Sequence, residues 1–301
     1  MKTQFLSLLF AAALLHADGT PTPAFDWQKP GSAADSRFRQ FLADGSIAKR
    51  PLPTVRDDQL KKQVILLDGK SMPAISFRHG GALTVRVVVR YPEQPVGAII
   101  SRHRTEDGRR GYEMGFGSKN PYELDGNKPA GQVSAGNRDS IRTVFGKNAP
   151  EFKPGQWYEC ILRFSPGEML TLAIRDHATG KVVYRGEAEC PDVEAITPAA
   201  GDGLLGIGGR RNNSKNCSML APAGTRIGGI TVWKEALSDE ELGLTGNESA
   251  LSHNPTLVTR YVNGSTGDDR NDGLSKEKPL RTIQRAADLV NPGQPGNDYV
   301  I

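Results

Sequence analysis

The sequence has 301 residues, of which 37% are hydrophobic and 24% are charged, ordinary values for a soluble globular protein. Its 38 basic and 34 acidic residues give a net charge of +4 and are interspersed along the chain. This balance does not indicate a nucleic-acid-binding protein, and it slightly favours acidic partners such as anionic glycans.

The N-terminal segment has the pattern of a secretory signal peptide. Lys2 precedes an apolar run over residues 5–15, and Ala17 supplies a small residue just before Asp18. We therefore predict cleavage after residue 17 and a mature protein that is secreted, either extracellular or periplasmic. The apolar run is too short to span a bilayer, so we expect no membrane association after its removal.

Residues 18–61 are predicted to form an N-terminal lead-in with a short helix. Asp35 is a suitable N-cap for that helix, and Phe38, Phe41 and Leu42 would share one of its faces.

From about Val64 to residue 245 the apolar residues repeat with a period of two. Leu83, Val85, Val87 and Val89 alternate with more polar neighbours, which is typical of a strand with one buried face. Further strands are predicted at residues 97–102, 111–116, 132–134, 140–144, 157–164, 169–175, 181–187, 204–207 and 225–233. Many short strands with almost no helix between them predict an all-β fold, an antiparallel two-sheet sandwich over residues 62–245.

The three cysteines do not define a disulfide framework, because an odd number leaves at least one thiol unpaired. If residues 165–167 and 177–180 are hairpin turns, Cys160 lies level with about Val183, two strands away. Cys190 lies at the far end of that third strand, beyond the reach of a disulfide to Cys160. We predict that Cys160 is a free buried thiol and that any bridge joins Cys190 to Cys217.

Three segments resemble laminin-G-like (concanavalin A-like) domains. They are KPGQWY at residues 153–158, LLGIGG at 204–209, and GGITVWKEALSDEEL at 228–242. In the last segment Ser238 and Glu241 form a capping-box pattern, which predicts a short helix after the closing strand. The resemblance implies a jelly roll whose concave face or loop rim binds carbohydrate or protein, sometimes with calcium.

A second resemblance follows a linker at residues 246–256. RYVNGS at 260–265, GDDRNDG at 267–273 and KPLRTIQRAA at 278–287 resemble the start of secreted right-handed parallel β-helix proteins, which include pectate-lyase-like enzymes. The resemblance implies that residues 257–301 are a C-terminal stub of a parallel β-helix, with one strand and a capping helix. Catalytic groups of that family lie on later coils, so none is assigned here.

The predicted capping helix of this stub starts after Thr282, which is a suitable N-cap. Ile283, Ala286, Ala287 and Val290 would form one apolar stripe along it. Because a single incomplete coil cannot bury that stripe, we expect the stub to lack a stable core.

No catalytic pair is predicted within the chain. Glycosidases with a concanavalin-like fold use carboxylates two residues apart on one strand, so that both share a face. The nearest set is Glu189, Asp192 and Glu194, in which the spacing of three puts the first on the opposite face. A catalytic jelly roll is therefore disfavoured.

Two basic loops are the candidate ligand-binding site. If they share one rim of the sandwich, their guanidinium groups could bind carboxylated sugars; the alternative is two solvated turns. The candidate residues are Arg102, Arg104, Arg109, Arg110, Arg210 and Arg211.

Calcium is a candidate cofactor at the loop over residues 268–273. Asp268 and Asp272 occupy the first and fifth positions of a calcium-loop pattern. Arg270 at the third position and Pro279 at the twelfth do not fit that pattern. A turn stabilised by Asx hydrogen bonds is the favoured alternative, and no metal site is assigned.

Together these features predict a secreted, non-catalytic carbohydrate-binding sandwich attached to a β-helix enzyme that degrades an extracellular polysaccharide. The expected partner is an extracellular polysaccharide of anionic character, rather than a nucleic acid or a membrane. The alternative is an extracellular adhesive or structural surface protein without catalytic activity.

Overall fold

The computed structural model describes residues 21–29, 31, 35–48, 51–77, 81–102, 110–116, 128–135, 141–145, 149, 151–190, 204–213, 216–245, 261–271, 273 and 275–288. The predicted signal peptide at residues 1–17 and the linker at 246–256 lie entirely outside these ranges. The chain separates into two compact units, residues 1–251 and residues 252–301.

Seventeen strands form in the described part of the first unit. In chain order they are β1 (Phe25–Trp27), β2 (Phe38–Leu42), β3 (Thr54–Asp57), β4 (Lys62–Leu66), β5 (Ser71–Ser76), β6 (Leu83–Arg90), β7 (Gly97–Ser101), β8 (Arg110–Phe116), β9 (Pro129–Ala135), β10 (Ile141–Phe145), β11 (Trp157–Phe164), β12 (Met169–Asp176), β13 (Val182–Glu189), β14 (Leu204–Ile207), β15 (Arg210–Asn213), β16 (Asn216–Ser218) and β17 (Arg226–Trp233).

The strands form two antiparallel sheets, as the sequence predicts. Sheet A has the order β13-β12-β11-β6-β17-β4-β3, and β1 pairs with β17 beside that path. Sheet B has the order β10-β9-β8-β7-β14-β5-β2. The described strands β15 and β16 pair with each other in a separate hairpin. The all-β, two-sheet antiparallel architecture is therefore confirmed.

The main hydrophobic core lies between the two sheets. Val85 and Val87 of β6 enter it from sheet A, and Phe116 of β8 enters it from sheet B. The sheets approach closely at Gly131 of β9, where an added Cβ would lie only 2.7 Å from Cδ1 of Leu162. A larger residue at position 131 would push the sheets apart, so the glycine is a packing requirement.

A single turn after β17 covers part of the outer face of sheet A. The backbone N–H of Ser238 donates to the Glu241 carboxylate at 2.7 Å, and the N–H of Glu241 donates to the Ser238 hydroxyl at 3.2 Å. This is the predicted capping box. Gly243 has a φ of +62° and ends the segment, so a single turn over residues 239–243 stands in place of the predicted short helix.

The leucines of this turn form an outer apolar cluster with residues of sheet A. Its members are Ile161, Ala173, Val182, Trp233, Leu237, Leu242 and Leu244. The outer face of sheet A is thus buried at one end by the closing turn of its own chain.

A buried carboxylate joins four strands at the other end of sheet A. Asp57, the last residue of β3, has a side chain with 0% exposure. Its Oδ2 accepts hydrogen bonds from Arg90 of β6 at 3.0 Å and Arg226 of β17 at 2.7 Å. Its Oδ1 accepts one from the indole N–H of Trp157 of β11 at 3.2 Å. Burial alone would raise the pKa of Asp57, but these bonds and two backbone N–H groups hold it below its ordinary value.

The predicted helix in the N-terminal segment is wrong. Asp35–Arg37 form a 3-10 turn, and Phe38–Leu42 form β2, which pairs antiparallel with β5. The spacing of Phe38 and Phe41 fits a helix, but in the strand Phe38 packs edge-on against Trp27 while Phe41 lies in a different cluster. Pairing with β5 and burial of the two rings on opposite faces outweigh the local pattern.

Residues of the predicted lead-in contribute strands to both sheets. Strands β1 and β3 belong to sheet A and β2 belongs to sheet B, so the sheets begin before the predicted boundary at residue 62. The predicted strands between residues 83 and 233 are confirmed, each within three residues of its observed ends. The pattern did not predict seven strands, β1, β2, β3, β4, β5, β15 and β16.

The cysteine register is confirmed to within one residue. Cys160 pairs with Ile174, which pairs with Tyr184 rather than Val183. All three cysteines are free and buried, so Cys160 is the free thiol that the sequence predicts, and Cys190 and Cys217 are not bridged.

The second unit contains one α-helix in its described residues, α1 (Ile283–Asp288). The Thr282 hydroxyl accepts the N–H of Arg285 at 3.1 Å, which confirms the predicted N-cap. Val262 and Leu280 form an isolated parallel bridge. Ile283, the first residue of the predicted stripe, is 60% exposed, while Val290 and the side chain of Ala287 lie outside the described residues.

Replacing Asp57 tests its role as a junction of four strands. Asp57→Ala should lower the free energy of unfolding by about 3 kcal/mol or more, because it leaves two guanidinium groups without their buried partner. Chemical denaturation measures this change. The neighbouring Asp58 is exposed, so Asp58→Ala should change stability by less than about 0.5 kcal/mol. Equal effects of the two substitutions would contradict the assigned role.

Thiol titration tests the state of the cysteines. Burial raises the pKa of Cys160 far above its ordinary value and that of Cys190 to about 12, so neither thiol should react quickly in the folded protein. A thiol reagent should detect all three thiols after denaturation without reductant. Detection of only one would reveal a disulfide and contradict the structure.

Candidate functional site

Two residues of the predicted basic loops, Arg102 and Arg210, lie at one end of sheet B. Arg102 follows β7 and Arg210 begins β15; the guanidinium of Arg210 lies 3.7 Å from the carboxylate of Glu113 on β8. Glu113 is in turn the cross-strand partner of Ser101, the residue before Arg102. The structure therefore brings these two predicted residues to the same end of the sheet.

Neither of these arginines has the solvent exposure that the alternative of two solvated turns implies. Arg102 is only 2% exposed, and Arg210 is paired with Glu113. Burial raises the pKa of Glu113, although the charge of Arg210 and a hydrogen bond with Ser101 oppose that effect. Arg104 and Arg109 lie outside the described residues, as do the side chains of Arg110 and Arg211.

A groove that sequence reasoning missed lies on the outer face of sheet A. It has a volume of about 120 Å³ and lies between the two apolar clusters that cover that face. Strands β4, β6, β11 and β17 provide its floor, and the segment after β1 and the turn after β12 provide its sides. Its lining residues are Gln28, Leu60, Lys62, Arg86, Val88, Glu159, His177, Gly229 and Thr231.

Arg86 is the central cation of this groove. It lies on β6 between Ile161 of β11 and Thr231 of β17. Its guanidinium carbon is 5.2 Å from the centroid of the Trp233 ring, a cation–π contact that holds the side chain against the sheet. Among the described residues, none accepts a hydrogen bond from its guanidinium group.

Glu159 is the central anion, and its two oxygens are both engaged. The Nε of Arg175 donates to Oε2 at 3.1 Å, and Nη2 donates to the same oxygen. Nδ1 of His177 lies 3.2 Å from Oε1. Burial alone would raise the pKa of Glu159, but the His177 contact, the Arg175 contacts and the charge of Arg86 lower it to about 2.

A hydrogen-bond network fixes the β1 side of the groove. The Gln28 amide donates to Asp26 at 2.7 Å and to the Thr231 hydroxyl at 2.9 Å. Lys62 Nζ donates to the backbone carbonyl of Gln28 at 2.8 Å, and burial lowers the pKa of Lys62. Gly229 leaves room for this arrangement, since an added Cβ would lie 2.8 Å from Oε1 of Gln28.

This arrangement can bind but is not set up for acid–base chemistry. Glu159 is ionised throughout the physiological pH range, so it cannot donate a proton, and its oxygens are held by Arg175 and His177. The groove offers hydrogen-bonding groups and the cationic groups of Arg86 and Lys62.

The sequence contained a weak signal for this groove. Arg86 and Glu159 are charged residues in the middle of predicted strands, where alternation marks them as outward-facing. What places Arg86 beside Thr231 is a pairing between residues 145 positions apart along the chain. A local sequence motif does not predict a pairing between residues so far apart along the chain.

The candidate calcium loop is an Asx turn in the structure. The Asp268 carboxylate accepts the backbone N–H of Arg270 at 2.9 Å and also contacts the guanidinium of Arg270. These bonds lower the pKa of Asp268 to about 2. Asp272 lies outside the described residues.

The adjacent Asp269 has a different role from Asp268. Its Oδ1 accepts the backbone N–H groups of Arg281 and Thr282, both at 2.8 Å, just before α1 begins. Within the described ranges, no three histidine, cysteine, aspartate or glutamate side chains form a group suited to a metal ion. No described helix has the length and apolar character that crossing a membrane requires.

No protein-family model matches the sequence, and no curated protein matches it. Among solved structures, the chain is similar to domain 4 of a GH43 extracellular arabinanase from Geobacillus stearothermophilus, solved with arabinotriose. The identity is 11%, the match covers 68% of this chain and 85% of that one, and the TM-score is 0.45.

In two other similar structures, the match covers only part of the solved chain. The receptor-binding domain of a botulinum neurotoxin mosaic serotype C/D has 8% identity, a TM-score of 0.47, and coverage of 74% of this chain and 49% of that one. The enzymatically active domain of bacteriophage CBA120 tailspike protein 2 has 14% identity, a TM-score of 0.46, and coverage of 68% and 29%. The chain thus spans about half or less of these two proteins, and the likeness is one of fold.

The pH dependence of stability tests the electrostatics of Glu159. A pKa of about 2 in the folded state, below the ordinary 4.5, means that the ionised group stabilises the fold above about pH 4.5. This contribution, about 3 kcal/mol, is lost as the pH falls from 4.5 towards 2. The stability difference between the wild type and Glu159→Gln should therefore be largest near pH 7 and shrink in acid.

Glu168 provides the control for this measurement, because it is exposed. Glu168→Gln should give a small difference from the wild type that stays nearly constant between pH 7 and pH 3. If the stability difference between the wild type and Glu159→Gln also stayed constant between pH 7 and pH 3, the pKa of Glu159 would not be lowered.

Proposed function

We propose that this chain is a secreted, non-catalytic module that binds an extracellular polysaccharide. In this proposal the first unit is a jelly roll of the laminin-G type, exported by a leader that is removed after residue 17. The second unit is the start of a parallel β-helix domain that acts on the same polysaccharide.

The observation that carries the binding role is the groove on the outer face of sheet A. Its polar side chains are fixed by hydrogen bonds to one another and to the backbone, as with Gln28, Thr231 and Lys62. Sugars are recognised through such preorganised hydrogen-bonding groups, because groups that are already ordered lose little entropy on binding.

The state of the carboxylates supports the non-catalytic role in this proposal. Hydrolysis of a glycosidic bond needs a protonated carboxylic acid and a second carboxylate. Glu159 stays ionised and engaged by Arg175 and His177. Glu113 has a raised pKa, and its carboxylate is engaged by the charge of Arg210 and by a hydrogen bond with Ser101.

Two features of the second unit support the β-helix proposal. Val262 and Leu280 are paired in parallel, the strand direction from which parallel β-helices are built. Asp269 accepts backbone N–H groups at the entrance to α1, which fixes a short helix directly after that bridge. The isolated bridge, the Asx turn and α1 support this proposal, because the resemblance implies a strand, a turn and a capping helix in this segment.

Affinity chromatography of the full chain tests the proposed function. The protein should be retained on immobilised polygalacturonate, and retention should fall as salt rises because the groove is cationic at Arg86 and Lys62. Incubation with soluble polygalacturonate should release no new reducing ends and no unsaturated products.

Each result of this experiment decides one part of the proposal. Released products would overturn the non-catalytic role. Retention that is insensitive to salt would exclude an electrostatic contribution. Failure to bind any of a panel of anionic and neutral polysaccharides would contradict the binding role and favour the alternative of a structural surface protein.

A further inference from the structure

We propose that the groove on the outer face of sheet A binds the carboxylate of a uronic acid, with Arg86 as the main contact and Lys62 as the second. This inference rests on the proposed polysaccharide-binding function and specifies the site and the chemical class of its ligand. It places the site on sheet A rather than at the basic loops of sheet B.

Arg86 is positioned for a ligand rather than for a structural ion pair. The described structure pairs the neighbouring arginines of this face: Arg175 with Glu159, and Arg90 and Arg226 with Asp57. Arg86 instead stacks on Trp233, and its donors are not used by any described acceptor. Stacking restricts the guanidinium before binding, so less entropy is lost when an acceptor arrives.

Lys62 supplies a second cation on the other side of the groove. Among the described residues, its Nζ makes one hydrogen bond, to the carbonyl of Gln28, so two of the three donors of an ammonium group remain. Asp26, the nearby acidic residue, already accepts hydrogen bonds from Gln28 and Thr231.

The buried anion of the groove does not prevent an anionic ligand from binding. Arg175 neutralises Glu159 with two guanidinium nitrogens, and its remaining Nη1 donates to the carbonyl of Gly243 at 3.1 Å. With Glu159 offset by Arg175 and the charge of Asp26 offset by Lys62, Arg86 leaves the groove with an excess of one positive charge.

A carboxylate fits this site better than a neutral hydroxyl group does. A guanidinium binds a carboxylate through two parallel hydrogen bonds, and charge-assisted bonds of this kind are roughly twice as strong as neutral ones. The fixed amide of Gln28 and the hydroxyl of Thr231 lie alongside for the hydroxyl groups of the same sugar.

The test uses two sugars that differ only in the proposed group. Galacturonate and galactose are titrated separately into the ¹⁵N-labelled full chain, and the indole N–H signal of Trp233 is followed by NMR because Arg86 stacks on that ring. Galacturonate should shift the signal in a saturable manner, and galactose at the same concentration should not.

Charge-removing variants assign the effect to the groove. Arg86→Gln should weaken galacturonate binding by about tenfold or more, and Lys62→Gln should weaken it by a smaller factor. Arg39 is exposed on β2 of sheet B, so Arg39→Gln removes the same charge elsewhere and should bind as the wild type does. Circular dichroism and thermal unfolding establish that each variant is folded.

The outcomes separate this inference from the proposed function. If the wild type is retained on polygalacturonate but Arg86→Gln and Lys62→Gln bind galacturonate as tightly as it does, the function stands and the site is elsewhere. Equal responses to galacturonate and galactose, or equal affinity for a sulfated sugar, would overturn the carboxylate assignment. If galacturonate binds in the groove but no polysaccharide is retained, the proposed function fails while the site stands.

Discussion

The structure depends on the pairing of charges that are buried on the outer face of sheet A. This sheet packs one face against the core, and apolar clusters cover much of the other face as well. A charge in such a position destabilises the fold unless it is neutralised and hydrogen-bonded. Asp57 is matched by Arg90 and Arg226, and Glu159 is matched by Arg175 with His177 beside it.

The same pairing determines what the groove can do. Because Glu159 is stabilised as an anion, it contributes to the stability of the fold and cannot donate a proton as a general acid. Because Arg86 has no such partner among the described residues and is held by Trp233, it is the cation that remains for a ligand. Structural stability and the proposed ligand binding are therefore divided between side chains on neighbouring strands of sheet A.

Much of the sandwich could be predicted from the sequence, because strands, hairpin turns and caps are local features. The alternation along β6, the hairpins that place Cys160 near Tyr184, and the capping box at Ser238 all follow from neighbouring residues. The segment at Phe38 was mistaken for a helix because five residues fit both periods, and only pairing with β5 decides between them.

The candidate binding site could be predicted much less well, since it depends on long-range pairing and on what covers each face. The sequence shows that Arg102 and Arg210 lie in basic segments, but not that one is buried and the other faces Glu113. The most direct test of the account is a crystal structure of the full chain with an oligogalacturonide. It should show an intact oligosaccharide whose carboxylate lies within hydrogen-bond distance of Arg86. Sugar bound instead at the end of sheet B near Arg210, or a cleaved glycosidic bond in the groove, would contradict the account.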